Sequence, residues 1–351
     1  MSDTLGPERG GVGRTEQGLG LQTERLQASD LARAAALLRG GGTVAFPTET
    51  VYGLGANALD AEAVEKIFAA KDRPKWDPLI VHVEGREMLE RVAVLPAELR
   101  DRAEALMKAF WPGPLTLLLP RTAEVPDAVT AGRPLVGVRT PAHMVARELI
   151  RRAGVPVAAP SANRFGGPSP TTAAHVLADL DGRIDAVLDG GATNVGVEST
   201  VFDLAAKAIY RPGAVTAAMI SRVIWDEVRV VGAEQVWSDP AAQASPGMGM
   251  RHYAPRARLV LVEGPREMLA EIAKHNGAEV GVMLPDDWER GAAEILFRWG
   301  PWGDAEILAR LLYFGLRNLD ERGAKVIVCP VPQMGGLGEA LRDRLEKAAK
   351  S

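Results

Sequence analysis

The sequence predicts an α/β protein in two units: a mixed, partly antiparallel twisted sheet with helices, then a smaller parallel α/β unit. Three observations carry this. Between residues 43 and 211 short apolar runs outnumber helical patterns, and several connections are too short for a crossover helix, so some neighbouring strands run antiparallel. Beyond residue 255 strand and helix patterns alternate. Between the two, residues 233–255 carry Pro, Gly and Ser with little hydrophobic periodicity and read as a linker.

The elements follow in order. Residues 1–20 are glycine-rich and polar, cannot bury enough surface to order themselves, and read as a tail. A helix is expected over 29–39, with Ser29 or Asp30 as its cap and Gly40, Gly41 and Gly42 as its stop. Thr43 to Phe46 reads as a buried strand. Pro47 breaks it into the hydroxyl-bearing turn Thr48-Glu49-Thr50, and Gly53 and Gly55 lead on into a helix over 60–70. Further strands are expected over 79–83, 115–119, 135–139, 155–159, 186–189, 200–204 and 208–211, with helices over 96–110, 143–153 and about 172–180. These make a first domain over 21–232, and 233–255 a linker or lid. The second domain, 256–351, reads as strand 258–263, helix 266–275, strand 279–284, helix 304–321, strand 325–331 and helix 338–349.

Composition narrows the function. The chain has 351 residues, 25% charged and 47% hydrophobic, as expected of globular domains with their own cores. A net charge of −4 argues against a nonspecific nucleic-acid binder. One cysteine, Cys329, excludes a disulfide framework and a thiol zinc site, and a cytoplasmic setting is expected. No run approaches a transmembrane span, and the N-terminus lacks the apolar core of a secretory signal. There is no H-E-x-x-H, no P-loop, no G-x-S-x-G elbow and no G-x-G-x-x-G after the first strand of the second unit.

Residues 41–79 say most about chemistry. Hydroxyls and glycines at 48–55 suit close contact with a small polar ligand. Lys71 and Arg73, just beyond the helix, suit phosphates, although alone they would pass as an ordinary helix C-terminus. Ser161-Ala162-Asn163 sits at the end of a buried strand, a usual place for ligand contacts in α/β sheets, or is simply a turn. His82 lies in an apolar strand, where a packed, hydrogen-bonded role is the commoner one. Glu198-Ser199-Thr200 and Arg211-Pro212-Gly213 read alone as structural. The adjacent Arg251, His252 and Tyr253 between Pro246 and Pro255 are unusual for a tether and suggest a lid over a site.

Together, PTETVYGLGANA, the Lys71-x-Arg73 pair, PLIVH, WPGPLT, VRTP, PSANRFGGPSPT, GVESTVFDL, RPG and SPGMGMRHYAP resemble, in order and over about 330 residues, the threonylcarbamoyl-AMP synthase family in its long two-domain form. The resemblance implies a YrdC-like catalytic domain and a Rossmann-like C-terminal one. It implies that L-threonine, bicarbonate or CO2, and ATP, with Mg2+ carried by the nucleotide and no dedicated metal site, give threonylcarbamoyl-AMP and pyrophosphate. The product would pass to a transferase complex that modifies adenosine in tRNAs reading ANN codons. By resemblance, Thr48, Thr50, His82, Arg139 and Ser199 are candidates to hold threonine. Lys71 and Arg73 are candidate catalytic residues, and with Asp77, Ser161, Asn163, Thr171, Arg211 and Tyr253 candidates to hold ATP. Long members commonly carry Lys where Gly249 stands and Asn where Asp77 stands. The competing expectation is a YrdC-like RNA-binding module without catalysis. A carbamoyl-transfer maturation factor would need zinc-finger-like regions that a single cysteine rules out.

Overall fold

A computed structural model describes residues 21–231 and 252–350. The expected tail and most of the linker, Arg251 and Gly249 included, lie outside the described residues. Eleven strands form the first sheet: β1 (Glu24–Gln27), β2 (Val44–Phe46), β3 (Gly53–Asn57), β4 (Ile80–His82), β5 (Leu115–Pro120), β6 (Leu135–Arg139), β7 (Val157–Ala158), β8 (Ala186–Asp189), β9 (Thr200–Asp203), β10 (Ala208–Arg211) and β11 (Arg229–Val230). Their spatial order is β1-β8-β2-β3-β7-β4-β6-β5-β9-β10-β11. Antiparallel pairings β2–β3, β3–β7, β4–β7, β5–β6 and β9–β10 stand among parallel ones, so the mixed sheet expected from short connections is present.

Three segments of the first unit depart from expectation. Gly53 and Gly55 do not lead directly into the helix; they lie in β3. The strand is read poorly from propensity because its glycines serve close packing: a Cβ on Gly55 would stand 2.7 Å from the Phe46 ring and 2.8 Å from a Val157 methyl. Helices Arg86–Val92 and Ala217–Ile224 also form where none was expected; Thr216 caps the second by accepting from the Met219 amide. Helix Ala61–Lys71 forms as expected, capped by Asp60.

The second sheet holds β12 (Arg258–Val262), β13 (Val280–Pro285), β14 (Ile295–Gly300) and β15 (Val326–Pro330), in the order β12-β15-β13-β14 and parallel throughout. Strand β14 was not expected. Helix Ala305–Glu321 and helix Leu337–Ala349 both turn buried residues toward the first sheet's loops. Val51 and Val197 of the first unit share one apolar cluster with Tyr253, Trp299, Leu308, Leu312 and Leu341. Among the described residues no helix is long and apolar enough to cross a membrane.

Candidate active site

Neighbouring strand ends build the site. Strands β4 and β6 are parallel, with His82 and Arg139 as register partners at their C-terminal ends. The Thr48-Glu49-Thr50 turn follows β2 and reaches the same end. Arg139 fills the gap. Its Nη2 donates to Oγ1 of Thr48 and of Thr50, each at 3.1 Å, its Nη1 to Glu49 Oε1 at 2.7 Å, and its Nε to His82 Nε2 at 2.9 Å. The two threonine hydroxyls lie 2.8 Å apart. Glu49 Oε2 accepts from the Ala142 amide. All five side chains are buried. Burial, and next the Arg139 charge, push the His82 imidazole well below its usual range.

A second wall comes from β9 and β10. Ser199, just before β9, lies 2.8 Å from Thr116 Oγ1, and Arg211 at the end of β10 donates to Ser199 Oγ at 3.1 Å and to its carbonyl at 3.0 Å. Gly213 is required by this approach, since a Cβ there would stand 2.5 Å from the Thr200 amide nitrogen. A third wall is Arg73, which pairs with Asp77 Oδ2 at 2.9 Å and donates to the Pro78 carbonyl at 2.9 Å. Burial lowers the Arg73 guanidinium, and Asp77 opposes that shift.

One pocket is lined by Thr50, Arg73, His82, Arg139, Ser161, Ser199, Arg211 and Tyr253 from the sequence-derived set. Thr48 stands directly behind Thr50. Four others lie behind the lining. Lys71 is fully buried and donates to the carbonyl oxygens of Ser161 and Asn163, so it holds the loop that presents Ser161. Burial lowers its ammonium strongly. Asp77 sits between Arg73 and His252, whose Nε2 is 3.6 Å from Asp77 Oδ2. Asn163 donates to the Arg164 and Gly167 carbonyls, and its Oδ1 is buried with no partner among the described residues. Thr171 contacts His175 and receives the Thr193 amide.

The pocket also contains residues that sequence reasoning assigned elsewhere or left out: Val51, Ile80, Pro160, Glu198 and His252. Glu198 read as part of a structural turn. Its surroundings are distant in sequence: Ser169 and Tyr313 hydroxyls and the Arg344 guanidinium all donate to its carboxylate. Burial alone would raise that carboxyl; Arg344 and Arg211 outweigh it and hold it below the ordinary value. His252 and Tyr253 open the second described stretch. The Ala254 amide donates to the Gly166 carbonyl at 2.8 Å, and the His252 ring meets Phe165 edge-on at 5.0 Å. Residues 252–254 thus pack on the 165–166 loop of the first unit.

Hydroxyls, a neutral imidazole and three guanidinium groups converging on one pocket define a two-domain α/β enzyme with a site for a small polar substrate beside a polyanion. A family profile described as "Telomere recombination" matches residues 36–213, and one described as "Threonylcarbamoyl-AMP synthase, C-terminal domain" matches 215–350. The chain is 45% identical to the threonylcarbamoyl-AMP synthase of Pyrococcus abyssi, over 93% of this chain and 96% of that protein, and 43% identical to that of Bacillus subtilis, over 93% and 95%. The crystal structure of P. abyssi Sua5 complexed with L-threonine superposes with a TM-score of 0.85 at 43% identity, covering 93% of this chain and 97% of that one. The chain belongs to the threonylcarbamoyl-AMP synthase family.

Proposed function

We propose that this chain condenses L-threonine, bicarbonate or CO2, and ATP into threonylcarbamoyl-AMP and pyrophosphate. The observation that carries this reading is the junction of two environments in one pocket. The Thr48, Thr50, His82, Arg139 and Ser199 cup offers paired donors and acceptors for an ammonium, a carboxylate and a hydroxyl. Arg73 and Arg211, on the adjoining walls, offer fixed positive charge for phosphates.

The threonine amine adds to CO2 and loses a proton, giving a carbamate. A carbamate oxygen then attacks the α-phosphorus, and the bond to the pyrophosphate oxygen breaks. The protein's part is positioning and charge neutralisation. Arg139 orients the carboxylate of threonine against Thr48 and Thr50. Ser161 and Tyr253 border the nucleotide, while Lys71, Asn163 and Thr171 fix the loop that carries Ser161. Asp77 sets the position of Arg73. Mg2+ is proposed to arrive with the triphosphate, as small divalent cations commonly do at nucleotide sites. The domain boundaries proposed are 21–232, 233–255 and 256–351; residues 232–251 lie outside the described residues. The setting is cytoplasmic, and the product goes on to a transferase acting on tRNA.

The test is pyrophosphate release. It is expected only when threonine, bicarbonate and ATP are present together. Release without threonine, or none with all three, overturns the reading.

A further inference from the structure

The second unit sends one side chain into the pocket wall. Helix Leu337–Ala349 buries Arg344 to 1% exposure. Its guanidinium meets three separate segments. Nε donates to Glu198 Oε2 at 2.7 Å, Nη2 donates to the Pro212 carbonyl at 2.9 Å, and Cζ stands 5.2 Å from the centre of the Tyr253 ring. Nη1 pairs with Asp343 on the same helix, which also holds Lys347. Glu198 and Tyr253 line the pocket, as does Arg211, the neighbour of Pro212.

We infer that Arg344 is a positioning residue for this site: it holds Glu198, the Arg211-Pro212 turn and Tyr253 in mutual register, so the second unit completes the pocket. The inference rests on the function proposed above for the chemistry it serves. A clasp between domains alone would need no pocket residue, yet all three partners of this guanidinium outside its own helix belong to the wall or adjoin it. A carboxylate buried as deeply as Glu198 needs a charged partner. Tyr313 and Ser169 bring only hydroxyls. Without Arg344, the Glu198 carboxylate would turn toward Arg211 and draw that charge away from the pocket, or would take up a proton. Tyr253, stacked on Tyr313 at 5.7 Å, would lose the cation that lies over its ring.

The experiment compares Arg344→Met and Arg344→Lys in the full chain. Turnover with threonine, bicarbonate and ATP is expected to fall about ten- to hundredfold in kcat/KM for Arg344→Met, as for a misplaced reacting geometry. Arg344→Lys is expected to recover part of this. The acid limb of the pH–rate profile should move upward in Arg344→Met. Among the described residues the charged and titratable groups facing Glu198 would then be Arg211, Tyr253 and Tyr313, with the Ser169 hydroxyl still donating. Arg342→Gln, on the same helix but bonded to the Pro332 carbonyl, should leave turnover unchanged. The second readout is the crystal structure of Arg344→Met, or of Arg344→Lys if the first does not fold, with Glu198 turned and Tyr253 displaced. Wild-type kinetics and pH profile in Arg344→Met, or Glu198 and Tyr253 unmoved in the variant structure, overturn the inference. A wild-type chain that releases no pyrophosphate overturns the proposed function instead, and the variant structure still decides this one.

Discussion

Arg139 donates its Nε hydrogen to Nε2 of His82 across 2.9 Å, and the two residues are register partners on adjacent parallel strands. A ring nitrogen that accepts from a guanidinium carries no proton, so His82 is a neutral imidazole with its hydrogen on Nδ1. We predict that it orients Arg139 and supplies no proton. No ionisation of His82 should therefore appear in kcat/KM between about pH 5 and 8. His82→Gln, whose amide oxygen can still accept, should keep more activity than His82→Ala. The check is the pH–rate profile of the three proteins; a limb present in wild type and absent in His82→Gln would refute the role.

Acid should destabilise the fold through its buried imidazoles. Burial first, and then Arg317, push His175 down to about 4, and burial likewise lowers His82 and His252. Below about pH 6.5 the unfolded chain takes up protons that the native chain refuses. The unfolded state then binds more protons, and stability falls as pH drops from about 6.5 toward 4. Tm measured by calorimetry should decline over that window, and His175→Gln should flatten the decline.

The residue at 77 should govern nucleotide affinity. Asp77 neutralises Arg73 through a buried 2.9 Å ion pair behind the pocket wall proposed to hold phosphates. Asp77→Asn keeps an acceptor for Arg73 and removes a repelling charge. The Kd for ATP should fall while that for threonine stays constant. Arg73→Ala should cost ~2–4 kcal/mol of transition-state stabilisation, about a hundredfold or more in rate, with the fold retained. Calorimetric titration and steady-state kinetics measure both; tighter ATP binding by the wild type than by Asp77→Asn would contradict the assignment.

Substrate choice tests the hydroxyl cup. A site built to bond a substrate hydroxyl rejects an analogue lacking it by about 10⁴–10⁵-fold. Serine should be a poor but detectable substrate and valine essentially inert. Equal product yield from valine and threonine would remove threonine from the Thr48, Thr50 and Ser199 cup.

Gly196 measures how tightly the two units meet. It has φ +83°, and a Cβ there would stand 2.4 Å from the Ala309 carbonyl oxygen and 2.4 Å from the Arg310 Cα. Both are backbone atoms of helix Ala305–Glu321, so no rotamer change relieves the clash. Gly196→Ala should cost about 1–3 kcal/mol from overpacking and strain. It should also lower turnover, because that helix carries Tyr313. Urea unfolding and product yield, taken together, check this.

Much of this architecture was legible from periodicity and punctuation. Strands β6 and β10 fall where the apolar runs lie, and helix Ala61–Lys71 follows its Asp60 cap. The parallel second unit was visible as an alternation. Strand β3 was not, because its glycines are chosen for the space beside Phe46 and not for strand propensity. The pocket divides in the same way. Thr50 and Arg73 stood out because hydroxyls, glycines and cations recur close together over residues 41–79, whereas His82 joined the candidates through the family resemblance. Glu198 was not, because what makes it unusual is a guanidinium 146 positions away. Lys71 was read as a candidate to hold phosphates; that its ammonium also donates to two carbonyl groups of the Ser161 loop is a direction no linear pattern encodes.

Val51 and Val197 sit beside Thr50 and Glu198 in the chain, and their side chains are rooted in the apolar cluster of the second unit. The loops that face the pocket are therefore anchored in a foreign core. Exchanging the C-terminal half for that of a relative would not be a modular swap, since Val51, Val197 and Tyr253 would each have to find a new seat. Loosening at either end should be felt at the other, and thermal melting of the full chain should show one transition.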